Sequence, residues 1–352
     1  MVGINKLVSE YDKSRMYEAI SGFSDQIKTS LNYMENWMPK HQYNDIQNIL
    51  ITGMGGSAIG GDFVASLVNR YCSVPIIVNR SYNIPGWVDE HTLVISSSYS
   101  GNTEETLSAL EFICEKNAQV IAVTTGGKLK KIAKENNFDI IEVTAGLQPR
   151  AAIGYSISLN LLLLEKVGLV KNGLFTQLLR NSLPQLTKLT HTYSDYSKDN
   201  DSIKNALLTH DKFAVIYAGE GWQANCALRL RGQLAENAKI LSSHLNFPEQ
   251  NHNEIEGWTL NPEILKKTVI IWITDSSDHN QVQKRMSITK ELLGKYPSQQ
   301  YELKVEGKSD VEKALCLIHL IDWISYYSAL LNNIDPTPVE RITILKNRLS
   351  EE

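Results

Sequence analysis

The chain has 352 residues, 42% of them apolar and 21% charged, which suits a globular protein long enough for two domains. A formal charge of -4, with no basic stripe, argues against general binding to nucleic acid or an anionic membrane. The start carries no signal-peptide pattern, and the apolar run Leu159–Leu164 is interrupted by Asn160 and too short to span a bilayer. Cys72, Cys114, Cys226 and Cys316 form no close pair and have no metal-ligand spacing. They read as small buried residues in a reducing cytoplasm.

Taken along the chain, residues 1–45 read as a helical segment, with Met16, Ile20, Phe23 and Ile27 at spacings of three and four. Short apolar strands then alternate with helical patterns. Strands are expected at Asn48–Thr52, Val74–Val78, Thr92–Ile95, Gln119–Val123 and Asp139–Val143, and helices around Ile157–Val167 and Gly173–Leu189. Such alternation means β-α-β units and a mainly parallel sheet covered on both faces. The polar stretch His191–Asp211 resembles an interdomain junction. The pattern restarts with a strand at Phe213–Tyr217, the turn Gly219–Gly221 and a long helix through Leu228 and Leu234. Strands at Lys239–Ser242, Thr268–Ile273 and Tyr301–Val305 follow, then helices near Glu312–Leu331 and from Pro338. The expected domains are an α/β pair at 46–170 and 190–335, with 336–352 as a closing helix. The two strand–glycine–helix turns suggest duplication.

The segment from Ser96 to Thr103 places five serine and threonine hydroxyls between an apolar strand and an amphipathic helix with Leu107, Leu110 and Ile113. A helix N-terminus offers unpartnered amides and partial positive charge, so this is a phosphate site built without lysine. Ser98, Ser100 and Thr103 would donate to the phosphate oxygens. The simpler alternative is a helix cap followed by the acidic turn Glu104–Glu105, yet a cap needs only one hydroxyl.

The turn Gly53-Met-Gly55-Gly56-Ser57-Ala58 also joins a strand to a helix. It fits the dinucleotide fingerprint loosely, and Arg80, where that site wants an acid, would suit a 2′-phosphate; an NADP enzyme is therefore one reading. On the other, Gly55 and Gly56 bring backbone amides close to a ligand and Ser57 adds a hydroxyl. Arg150 follows Pro149, whose fixed φ can aim it, or else is an ordinary surface arginine. Glu236 shares a helix face with Arg229 and is either a general base or solvated. His252, in the polar loop Phe247–Trp258, has the chemistry of an acid/base group but no zinc-ligand partner spacing. His319 lies in an apolar run and reads as a core residue. Lys346 reads as a solvated helix lysine on its own.

Jointly, in this order and spacing, these stretches resemble the bifunctional phosphoglucose/phosphomannose isomerases of the sugar isomerase (SIS) superfamily. The resemblance runs from Gly53 to Lys346. It implies two doubly wound SIS domains with flanking helices, and a cytoplasmic aldose–ketose isomerase acting on glucose 6-phosphate, mannose 6-phosphate and fructose 6-phosphate. No metal and no cofactor are implied. By that resemblance Ser57, Ser98, Ser100 and Thr103 hold the phosphate and Glu236 moves the proton between C1 and C2. Arg150 stabilises the enediolate, while His252, reaching across a homodimer, and Lys346 assist ring opening. Thr337 is a candidate for the threonine near C2 that admits both epimers. A different class, a non-catalytic SIS regulator that senses sugar phosphates, remains the alternative.

Overall fold

The computed structural model describes residues 4–196 and 199–351. Three helices come first: α1 (Ile4–Tyr11), α2 (Met16–Ser21) and α3 (Phe23–Asn36). They lead to β1 (Asn48–Thr52), α4 (Gly55–Val68), β2 (Ile76–Asn79), β3 (Thr92–Ser97), α5 (Glu104–Cys114), β4 (Gln119–Thr124), α6 (Gly127–Glu135) and β5 (Asp139–Glu142). A 3-10 turn at Pro149–Ala151 precedes α7 (Ile153–Lys166), α8 (Leu174–Ser194) and α9 (Asp201–Thr209). Then come β6 (Phe213–Ala218), α10 (Trp222–Glu236), β7 (Ser242–Asn246), α11 (Pro262–Leu265), β8 (Thr268–Ile273), α12 (Asn280–Leu293) and β9 (Gln299–Leu303). Helices α13 (Asp310–Leu331) and α14 (Glu340–Ser350) complete the chain.

Two compact units result. One comprises Gly22–Thr187 with Lys308–Glu312; the other comprises Met1–Ser21, Lys188–Gly307 and Lys313–Glu352. The first holds a five-stranded parallel sheet in the order β2-β1-β3-β4-β5, the second a four-stranded parallel sheet ordered β7-β6-β8-β9. Strand order reverses between β1 and β3 in one and between β6 and β8 in the other. The shared order is the duplication that the paired glycine turns suggested.

In the first sheet, Leu50, Val94 and Ala122 face a cluster with Ala109, Leu110 and Ile113 of α5 and Leu129 of α6. Ile51 points the other way, where Gly61 lets α4 approach it: a Cβ on Gly61 would stand 3.0 Å from its Cγ2. That alternation is the period-two signature of a strand between two layers. In the second unit, α13 is long and apolar enough to cross a membrane, but 94% of its apolar 18-residue stretch is buried in the protein. Its Trp323, Tyr326 and Tyr327 pack with Tyr17 and Tyr196 in an aromatic core, and Tyr193 packs against His319. His319 sits there too, wholly buried, against Thr190 Oγ1 (2.9 Å) and Trp323 Nε1 (3.3 Å), and burial lowers its pKa to about 3.

Several local expectations shift. Pro75 has no N–H to give the ladder, so β2 begins only at Ile76. The strand expected at Lys239–Ser242 starts at Ser242, because Ile240 is still donating back to the Leu234 carbonyl of α10. The strand expected at Tyr301–Val305 lies at Gln299–Leu303. The last helix starts at Glu340 rather than Pro338, because Val339, at φ -128° and ψ 60°, is its non-helical N-cap. Residues 37–45 lie outside any helix. The polar junction holds α9, capped by the Asn200 side chain, while Ser197 and Lys198 fall outside the described residues. Of the cysteines, Cys226 and Cys316 are buried, but Cys114 is exposed, one step off the Ala109–Leu110–Ile113 stripe.

Candidate functional site

The carboxyl ends of β1 and β3 flank the point where strand order reverses, which is where open parallel sheets bind ligands. Both β1 and β3 end in hydroxyl-bearing turns. Ser98 is 1% exposed, and its Oγ lies 2.8 Å from Thr103 Oγ1 and accepts from the Gly101 N–H at 3.1 Å. Thr103 occupies the N-cap position of α5 but makes no side-chain capping bond. Its hydroxyl turns toward Ser98 instead. The expected alternative of a simple cap therefore does not describe this turn, and the first amides of α5 keep no side-chain acceptor from Thr103.

The loop is held rigidly from behind. Gly101 has φ +70°, and the Gly126 carbonyl fills the space a Cβ would need. Its own carbonyl accepts from the Leu129 N–H at 2.9 Å, and Asn102 Oδ1 accepts from the Lys128 N–H at 3.0 Å. Ser100 is exposed at the loop's tip, where its Oγ accepts from the Asn102 N–H at 3.3 Å. A fixed set of donors needs no reorganisation when an anion arrives.

Ser57 lies in the first turn of α4, after Gly55 at φ +49°. Gly56 is required by close approach: a Cβ there would lie 2.7 Å from the Pro149 carbonyl oxygen. This contact seats the Pro149–Ala151 turn against the N-terminus of α4. Arg150 is 5% exposed, so it is no ordinary surface arginine. Sequence reasoning missed Tyr99, whose hydroxyl donates to the Thr144 carbonyl (2.8 Å) and accepts from the Leu147 N–H (3.1 Å). It thereby ties the hydroxyl loop to the segment leading into Arg150. A small cavity, ≈ 20 Å³, is lined by Gly56, Ser57, Ser97, Tyr99 and Pro149 among others. Arg80, the group considered for a 2′-phosphate, is paired with Asp62 of α4.

The equivalent edge of the second sheet differs in charge. The loop after β8 is Thr274-Asp275-Ser-Ser-Asp278, and the Asp278 carboxylate fills the space beside Gly219. A cavity of ≈ 490 Å³ there is lined by Asp275, Asp278, Glu302 and Glu306, with Lys290, Lys304 and Lys313. Lys313 pairs with Asp275 at 3.0 Å, while Lys290 and Lys304 both pair with Glu302. Burial pushes Asp278 up to about 6. Acids on the turn make this edge a poor cradle for a phosphate dianion, so the two sheets are not interchangeable.

Glu236, His252, Lys346 and Thr337 belong to the unit with the second sheet. Glu236 is the last residue of α10 and half-buried; Arg229, on the same helix, is 1% exposed and paired bidentately with Asp322 of α13. His252 is exposed, in a 3-10 turn after β7. Its loop is anchored by Asn251 Nδ2 to Thr289 Oγ1 (2.9 Å) and by Tyr217, which donates to Glu254 Oε1 (2.5 Å) and accepts from Trp258 Nε1 (2.8 Å). Thr337 is 8% exposed, its N–H donating to Asp335 Oδ1 at 2.9 Å. Lys346 is exposed on α14.

These residues do not all converge. Phe247 and Trp258 bracket the His252 loop and pack with Tyr217, Trp272 and Met286 of α12 on one face of the second sheet. Right-handed crossovers send α10, between β6 and β7, to the opposite face. The His252 loop is thus anchored on one face of the second sheet, and α10, which ends at Glu236, lies on the other.

Comparison with known proteins accords with two domains of this fold. Residues 42–166 match the SIS domain model, and residues 198–349 match that of the bacterial phospho-glucose isomerase C-terminal SIS domain. The bifunctional phosphoglucose/phosphomannose isomerase of Caldicellulosiruptor bescii is 39% identical, over 96% of this chain and 99% of its own. The chain belongs to the bifunctional phosphoglucose/phosphomannose isomerase family. That family's enzymes are aldose–ketose isomerases. Its Aquifex aeolicus member is 35% identical, over 96% of this chain and 98% of its own. A putative phosphosugar isomerase from Clostridium difficile 630 shares the fold at TM-score 0.72 and 14% identity, covering 94% of this chain and 97% of that one.

Proposed function

We propose that the protein reversibly isomerises glucose 6-phosphate and mannose 6-phosphate with fructose 6-phosphate through a cis-enediolate. The observation that carries this is the turn after β3, where the hydroxyl of Thr103, the N-cap residue of α5, makes no capping bond and meets Ser98 instead. Helix amides and fixed hydroxyls at a sheet's reversal point make a receptor for a phosphate ester. Ser57, Ser98, Ser100 and Thr103 hold that group. Its anchoring presents C1 and C2 to Glu236, which takes a proton from one carbon and returns it to the other. Arg150 stabilises the enediolate oxygen, and no reorganisation is needed because its turn is already packed. His252 and Lys346 assist opening of the sugar ring.

His252 comes from a second copy of the chain. The anchoring of the His252 loop on the face of the second sheet opposite α10, which ends at Glu236, supports that assignment. The protein is accordingly a homodimer in this reading.

The test couples each aldose phosphate to detection of the ketose, and uses two inactive variants. Glu236→Gln should bind substrate yet lose solvent tritium exchange at C2, and His252→Ala should open the ring slowly. Refolded together, the two should recover about a quarter of wild-type activity, because half the dimers are mixed and each has one intact site. Mixtures no more active than their parents would refute the crossed arrangement. Binding of both aldose phosphates without conversion would instead identify a sensor.

A further inference from the structure

The end of α10 is built with more than a helix terminus needs. Asn237 donates to the Gln233 carbonyl (2.8 Å), and Ala238 and Ile240 both donate to that of Leu234 (3.1 and 3.0 Å). This is a closing turn whose left-handed residue is usually glycine. Here it is Lys239, at φ +58°, a conformation penalised in any residue with a side chain. What the lysine supplies is its ammonium. The Nζ donates to the Glu236 carbonyl at 2.6 Å, to that of Asn237 at 3.4 Å, and to that of Pro338 at 2.7 Å, 99 residues further on. One cation thus closes the helix end, where positive charge is favoured, and ties it to the strap before α14.

The other side of the same turn is held by a polar ladder. Arg229, Gln233 and Asn237 recur at the helical spacing of four. Arg229 and Gln233 meet Asp322, with Gln233 Nε2 at 2.9 Å from Oδ1, and Asn237 Nδ2 meets Ser325 Oγ at 2.9 Å. All three of these α10 residues are buried. The backbone around Glu236 is therefore fixed from α13 on one side and through Lys239 on the other.

We infer that Lys239 is a positioning residue for the isomerase. It sets the carboxylate of Glu236 and, through Pro338, the start of the helix that carries Lys346. It touches no substrate, and the inference rests on Glu236 being the base.

Lys239→Gly separates this role from simple stabilisation, because the substitution removes the backbone penalty together with the ammonium. Its Tm should stay within about 3 °C of wild type. Its kcat should fall about tenfold while KM changes less than about twofold, as for lost alignment of a catalytic group. Amide exchange across Ile334–Glu340 should quicken as the strap is released. Lys239→Arg keeps donors for the carbonyls and should recover most of the kcat and the protection. Wild-type kcat in Lys239→Gly, or a loss that tracks a large fall in Tm and is not rescued by arginine, would overturn the inference. Glu236→Gln is assayed in parallel. Full activity there would overturn the reading of the base, whereas its inactivity beside an unimpaired Lys239→Gly would overturn the clasp alone.

Discussion

Gly56→Ala puts one methyl group where the Pro149 carbonyl oxygen already sits. The contact would be 2.7 Å, about 0.7 Å short of the 3.4 Å at which ordinary contact begins, and the oxygen it meets is backbone. The Pro149–Ala151 turn must retreat by most of that difference, carrying Arg150 with it. Overpacking of this kind costs about 1–3 kcal/mol of stability. A displacement approaching 1 Å at a catalytic group can cost on the order of 10²-fold in rate. Gly61→Ala is the control: it lies on the same helix and meets Ile51 Cγ2 at 3.0 Å and Val78 Cγ2 at 3.2 Å, away from the turn. Thermal unfolding and coupled isomerisation assays would be run on both variants. Both should lose stability, but only Gly56→Ala should lose kcat/KM, by roughly 10- to 100-fold. Equal kcat/KM for the two would refute the claim that this contact seats Arg150.

Replacing Ser98 and Ser100 together by alanine should raise KM for the sugar phosphates by at least about tenfold, since hydrogen bonds to a charged group are worth about 1.5–3 kcal/mol each. Unchanged affinity would exclude the loop as the phosphate site. Asp278, only 7% exposed, has its pKa raised by burial, with Asp275 and Glu220 adding to the shift and the Asp275 amide and Lys313 opposing it. The folded state therefore holds this proton more tightly than the unfolded chain, and its contribution to stability is lost as pH rises from about 4 through about 6. Asp278→Asn should remove that loss and narrow the fall in Tm between pH 4 and pH 7, an effect on the order of 1 kcal/mol after solvent screening. An unaltered pH dependence of Tm would show that Asp278 is not the group responsible.

Strand and helix identity, the two glycine turns and the hydroxyl loop were all legible in the linear chain, because each depends on neighbours within about ten residues. Alternating apolar runs dictate parallel strands, and a cluster of hydroxyls before an amphipathic run marks a strand-to-helix turn whatever surrounds it. Boundaries failed at Ile76, which a proline precedes, at Ser242, which a closing turn precedes, and also at Gln299 and Glu340. Other features belong to the tertiary structure alone. Gly56 matters only because Pro149 returns to it from far along the chain, and Arg229 is buried only because Asp322 waits on another helix. The resemblance placed Glu236 and His252, 16 positions apart, in one site built from two copies of the chain. The handedness of successive crossovers sends their segments to opposite faces of one sheet. Spacing along a chain carries no information about that choice of face, which is made only when strands pair.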